Sequence, residues 1–236
     1  MPEAEQVNRL FSGIAPCYDQ ANQVLSLGID RYWRRTLVRK VVDRRPRRVV
    51  DLATGSGDVA LALSRALGPS VDILGLDFCE PMLEQARAKA SRAGVVQNLS
   101  FKHGDCLSLP LEDGSVDVLT IAFGLRNLQD RQSGLREMRR VLNPERGCLF
   151  VLEFSQPDWW LRPFYTLYLC TLMPLVAALL TRRVRAYRYL AASIGAFPSK
   201  DFLAAEFLAA GFPRASYHGI TGSVVCIHCG ETQLLR

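Results

Sequence analysis

Asp51, Asp77 and Asp105 each end an apolar run of strand type, and Ala122 ends a fourth. Open α/β sheets bind ligands outside the carboxyl ends of their strands, so acidic or small residues at four successive ends outline one cleft. After Asp51 comes Thr54-Gly55-Ser56-Gly57, a turn whose glycines let backbone amides approach a ligand that a Cβ would keep away. Residues 55–60 satisfy the relaxed G-x-G-x-x-A form of the dinucleotide fingerprint, so NAD is one candidate for this site. The carboxylate of Asp51 opposes it, because a dinucleotide sets its anionic pyrophosphate against this turn. S-adenosylmethionine (SAM) brings no phosphate and carries an ammonium and a sulfonium cation. The acidic loop therefore favours SAM and, with it, methyl transfer.

On that reading each residue takes a part of the ligand. Ser56, flanked by Thr54, Gly55 and Gly57, offers a hydroxyl and an N–H to the methionine carboxylate. Asp77, about twenty residues beyond the loop, is spaced to grip ribose hydroxyls with a two-acceptor carboxylate. Asp105, with Cys106 beside it, can accept from the adenine amino group, and Ala122 leaves room beneath the sulfonium. Asp58 reads as a partial cap of the following helix, and Asp113-Gly114 as a plain turn.

The elements that must hold these residues follow from periodicity. Strands are expected at 48–52, 72–77, 99–103, 116–122 and 148–153, and helices at 59–67, 81–93 and 133–142 between them. Such alternation with short loops means a parallel sheet with helices on both faces. A helix near 199–210 and strands near 215–219 and 223–228 then close the sheet with a hairpin. The expected fold is α/β: a Rossmann-like class I methyltransferase with a seven-stranded, mostly parallel sheet and a C-terminal antiparallel hairpin. One domain, 1–236, is expected, with a helical cap at 1–45, a SAM-binding core at 46–155, a hydrophobic lid insertion at 156–197, and the closing helix and hairpin at 198–236.

At 236 residues and 49% hydrophobic content, the chain can bury one substantial core, and 22% charged residues argue against disorder. The net charge of +6 is carried mainly by arginines clustered in 31–48 and 182–188, an arrangement that suits an anionic membrane surface; no nucleic-acid partner is expected. Residues 164–180 are almost continuously apolar, but as a helix they would reach about 25 Å against a ~30 Å hydrocarbon core, and Pro174 would break them. A lid or a membrane-touching helix pair fits better than a span. Seven scattered cysteines read as reduced thiols of a cytoplasmic protein, and the N-terminus, with Glu3 and Glu5, is not a signal peptide. Cys226 and Cys229 have C-x-x-C spacing, yet no second ligand pair completes a metal site and the segment alternates like a strand.

Longer motifs carry a family resemblance. Tyr18-Asp19-Gln20-Ala21-Asn22 through Trp33, Phe123-Gly124-Leu125-Arg126-Asn127, and 140–144 followed by Leu152-Glu153-Phe154-Ser155 resemble signatures of the ubiquinone/menaquinone biosynthesis C-methyltransferases. Residues 187–190 and 221–225 look familial too, so the likeness runs from about residue 10 to 230. Ala21, Asp30 and the 143–147 turn depart from the pattern, the first two within the expected substrate cap. The resemblance implies SAM-dependent methylation of a polyprenylated quinol ring, demethylmenaquinol ahead of a ubiquinone-precursor benzoquinol, with a homodimer compatible. It makes Arg126, Asn127, Tyr18 and Asp19 the catalytic candidates. Arg126, already protonated at neutral pH and so no base, would be a fixed cation beside the quinol oxyanion. Tyr18 and Asn127 would orient the ring hydroxyl and Asp19 would accept the proton, with His103 and His218 as alternative bases. Peripheral contact with the inner face of the cytoplasmic membrane follows from the apolar lid. Rival readings are another lipid-like aromatic acceptor and a non-catalytic SAM-binding scaffold.

Overall fold

The structure is a computed structural model and describes residues 26, 28–94, 97–168, 171 and 192–233. Helix α1 (Asp30–Val42) buries Trp33, Leu37, Val38 and Val41, one stripe at helical spacing. Strand β1 (Arg48–Leu52), helix α2 (Asp58–Leu67), β2 (Asp72–Asp77), α3 (Glu80–Arg92) and β3 (Leu99–His103) follow in strict alternation. Then come β4 (Val118–Ala122), a 3-10 turn at Leu125–Asn127, α4 (Arg131–Val141) and β5 (Cys148–Phe154). Helix α5 (Arg162–Leu167), helix α6 (Lys200–Ala209), β6 (Arg214–Ile220) and β7 (Val225–Glu231) end the described chain.

The seven strands lie in the order β3-β2-β1-β4-β5-β7-β6. The first five are mutually parallel, and β7 runs antiparallel between β5 and β6. This is the expected class I methyltransferase topology. Chain order reverses between β1 and β4, which opens a crevice at their carboxyl ends. Both sheet faces are covered, so the strands are apolar on both sides. Val49, Phe150 and Leu152 face the core built with α1, α2 and α3, whereas Val50, Leu149 and Val151 face the one built with α4 and α6.

Several boundaries move. The fourth strand begins at Val118, not Val116: the Asp117 N–H donates to the Arg48 carbonyl and its carbonyl accepts from the Cys148 N–H, while its carboxylate accepts from the amides of Arg47 and Arg48 and pairs with Arg146. Val116 keeps one isolated bridge to Leu142. The closing hairpin is longer than expected at both strands, and its turn places Thr221 and Ser223 at φ 55° and 60°. In β7, residues three apart face opposite sides of the sheet, so Cys226 and Cys229 cannot share a metal. Cys229 instead lies 3.1 Å, sulfur to sulfur, from Cys148 of β5. The expected cap helices before residue 26 and most of the lid, with the arginines at 182–188, lie outside the described residues.

Candidate active site

Four strand ends converge on a cavity of about 300 Å³ whose lining includes Gly55, Asp77, Asp105, Cys106, Ala122 and Asn127. Asp77 is the hinge between loop and cavity. Its carboxylate accepts from the Gly55 amide at 2.8 Å and the Cys79 amide at 2.9 Å, which leaves lone pairs for a ligand. Burial raises its pKa, an effect that these amides counter. Burial, then the charges of Asp77 and Asp105, push the Cys106 thiol up to about 12, so it stays a neutral wall. Phe78, Met82 and Phe123 supply the apolar walls. None was read as a site residue, because an apolar side chain in a loop or helix gives no sign of which cavity it will face. His103 also lines the cavity.

The rest of the glycine turn has other work. Asp51 is buried beneath it, accepting from Thr54 Oγ1 and Thr120 Oγ1, each at 2.6 Å. Burial, partly offset by the two hydroxyls, raises its pKa to about 6. Asp51, Thr54 and Ser56 border a smaller recess that Arg34 and Phe123 also line. Ser56 Oγ accepts from Lys89 Nζ at 2.9 Å. Asp58 corrects the capping expectation. Gly57 is the N-cap residue of α2, and Asp58 sits one residue inside it, where its carboxylate pairs with Lys89 at 2.8 Å and Arg34 at 3.0 Å. Gly57 is also corrected. A Cβ there would lie 2.9 Å from Ala86 Cβ and 3.0 Å from the Phe101 ring, so this glycine serves close packing in a left-handed conformation, φ 82°. Of the two glycines, Gly55 lines the cavity.

The 123–127 loop brings together another set. Phe123, at φ 57°, turns the chain out of β4. Gly124 is required because a Cβ would lie 2.7 Å from that of Ala53. Arg126 has a side chain only 5% exposed, paired at 2.9 Å with Glu153, itself 1% exposed. The same Nη1 donates to the Phe123 carbonyl, and the guanidinium carbon lies 5.6 Å from the Phe154 ring centroid. Arg126 Nε finds no acceptor among the described residues. The guanidinium thus stands behind the cavity wall, compensated by Glu153, while Asn127 lines the cavity itself. Glu153 escaped notice as a site residue, although one carboxylate within the apolar run 148–154 was a usable signal. His218 is exposed on the edge strand β6, three strands from β4, and is not at this site. Tyr18 and Asp19 lie outside the described residues. Among those described, no three potential metal ligands lie together.

This donor set suits SAM. Carboxylates at the ends of β2 and β3 face a cavity with apolar walls, and neither lysine nor arginine is among its described lining residues.

Comparison with known proteins agrees. The model of the ubiE/COQ5 methyltransferase family matches residues 2–232. A ubiquinone/menaquinone biosynthesis C-methyltransferase of Geotalea daltonii is 38% identical over 230 residues, 97% of each chain. A demethylmenaquinone methyltransferase of Thermus thermophilus is 42% identical over 223 residues, 94% of this chain and 99% of that protein. Among solved structures, a SAM-dependent methyltransferase from Aquifex aeolicus gives a TM-score of 0.61 at 18% identity, over 83% of this chain and 89% of that one. One from Thermotoga maritima gives 0.63 at 18% identity, over 95% and 99%. At such identities the structural likeness establishes the fold.

Proposed function

This chain belongs to the ubiE/COQ5 methyltransferase family, and from that premise we propose that it methylates a ring carbon of a polyprenylated quinol, demethylmenaquinol first. The methyl donor is SAM. The observation that carries the acceptor reading is an aromatic cluster that reaches the cavity through Phe123. Phe123 lines the cavity, and its ring centroid lies 4.9 Å from that of Phe154 and 6.1 Å from that of Trp33. A planar ring can stack there beside the sulfonium position under Ala122.

Carbon methylation needs an electron-rich carbon, which the quinolate has and the quinone lacks. SAM, when bound, supplies the methyl group: its carbon–sulfur bond breaks, the ring carbon gains the methyl and then gives up its proton. The chain must hold the aryloxide, align it and keep water away. Asn127, on the wall, is the group proposed to orient the ring hydroxyl. Arg126 is proposed to act from behind the wall as a fixed cation toward the oxyanion. Tyr18 and Asp19 remain proposed partners from the cap, and His103, on the cavity wall, is the alternative base.

An acceptor with an insoluble tail must be reached at a bilayer. Trp159, at 85% exposure, Trp160, at 55%, and exposed Phe164 and Leu167 support peripheral contact with an anionic membrane, as do the arginines at 182–188. Among the described residues no helix is long and apolar enough to cross a membrane. The proposed setting is the cytoplasmic face of that membrane, with a homodimer compatible and no nucleic-acid partner.

The test is methyl transfer from SAM to reduced, short-chain demethylmenaquinol and to the corresponding benzoquinol. Faster transfer to the naphthoquinol supports the reading and preference for the benzoquinol reassigns the ring. A folded, SAM-binding protein that methylates neither overturns it.

A further inference from the structure

We propose that Glu153 is a positioning residue for the cofactor pocket, acting through Arg126 to hold the strained wall at 123–127. The inference rests on the SAM reading of the cavity and is independent of the methyl acceptor.

Three observations carry it. Phe123 adopts a left-handed backbone, φ 57°, which L side chains resist and which persists only where surroundings impose it. Its N–H continues the sheet, donating to Leu152 at 2.8 Å, but its carbonyl leaves the sheet and is taken by Arg126 Nη1. Arg126 is in turn fixed at both ends of the residue by one carboxylate. Glu153 accepts from Arg126 Nη1 at 2.9 and 3.2 Å and from the Arg126 backbone N–H at 3.3 Å. Glu153 is itself held by the Phe154 amide at 3.0 Å, on a strand buried from Cys148 to Glu153.

The consequence reaches the cavity directly. Phe123, Gly124 and Asn127, the residues that this clasp orders, all line it. The next turn depends on them, since Asn127 N–H donates to the Gly124 carbonyl at 3.0 Å. A buried carboxylate beside a buried guanidinium costs desolvation, and hydrophobic replacements often serve stability as well. The pair is therefore better explained by the geometry it imposes than by stability.

The test is SAM affinity by calorimetry on the full chain, for wild type, Glu153→Gln, Arg126→Met and the double variant, with melting temperatures alongside. Glu153→Gln should raise the Kd for SAM about tenfold, and adding it to Arg126→Met should change Kd less than twofold. Glu153→Gln leaves a buried guanidinium uncompensated; should that variant not fold, Glu153→Asp takes its place. Aspartate keeps the charge one methylene short of its mark and should still raise Kd severalfold. Amide exchange at Gly124 and Asn127 should quicken in both substitutions. A lowered melting temperature with unchanged Kd, or a full tenfold loss in the Arg126→Met background, overturns the inference. Failure of the wild type to bind SAM would instead overturn the reading of the cavity.

Discussion

Asp51 of β1 and Thr120 of β4 are direct neighbours in the sheet, and the threonine hydroxyl donates to the buried carboxylate at 2.6 Å. This contact crosses the point where strand order reverses, so the floor of the crevice is stitched by an acid that sits in it. The acid is held near its titration point rather than far below neutral pH, because burial outweighs the two hydroxyl bonds.

Asp51→Asn should therefore separate stability from binding. The folded pKa of Asp51, about 6, lies above its unfolded value, so its contribution to stability is present at low pH and lost as pH rises through 6. Asparagine mimics the protonated form at every pH. The variant should be more stable than wild type above pH 7, by at most about 3 kcal/mol, and the gain should vanish near pH 4. Urea melts at both pH values check this. SAM affinity should fall in wild type as pH drops through 6 and should be weak and flat across that range in the variant.

Asp77→Ala should remove SAM binding more completely than any other single change at the strand ends. It deletes the acceptor assigned to the ribose and strands the buried-loop amides of Gly55 and Cys79. Loss of affinity by about a hundredfold is expected, with about 1–3 kcal/mol of stability lost to the unsatisfied amides. Calorimetry and thermal melts measure the two separately, and an affinity within threefold of wild type would refute the assignment.

The two glycines of the turn should behave differently. Gly57→Ala meets Ala86 and Phe101 and should cost about 1–3 kcal/mol, with SAM affinity little changed once folded. Gly55→Ala meets only Met82 Cε, at 3.4 Å, but must adopt a left-handed φ of 57°, so it should cost about 1–2 kcal/mol of stability and, beside the cavity, lower SAM affinity as well. Denaturant titration against SAM titration for both variants distinguishes packing from ligand approach.

Trp159→Ala with Trp160→Ala should weaken sedimentation with anionic vesicles severalfold while leaving SAM affinity intact, because neither indole lines the cofactor cavity. Neutralising Arg182, Arg183 and Arg185 should reduce the salt sensitivity of the same binding. Vesicle binding equal to wild type in both variants would count against membrane contact.

Much of this was legible before any coordinates. The strand ends at Asp77, Asp105 and Ala122 were found because each closes an apolar run, and the structure brings all three to one cavity with Gly55. Family motifs pointed to Arg126 and Asn127 through their neighbours in sequence. Glu153 lies inside a family motif that assigns it no role, since nothing local says that a carboxylate 27 residues from Arg126 will be its partner. Asp58 and Gly57 were misread because capping and ligand approach are local inferences, whereas Lys89, Arg34, Ala86 and Phe101 arrive from other elements.

By itself the sequence determined the alternation of strands and helices, the closing hairpin, and the acidic strand ends that favour a cation over a pyrophosphate. These are properties of periodicity and charge, which act along the chain. Tertiary structure alone decided which of those groups face the cavity, which are buried as struts, and that the Arg126 guanidinium is compensated by Glu153 behind the wall. Burial and pairing depend on residues distant in sequence, and it is burial that sets both the protonation of Asp51 and the position of Arg126.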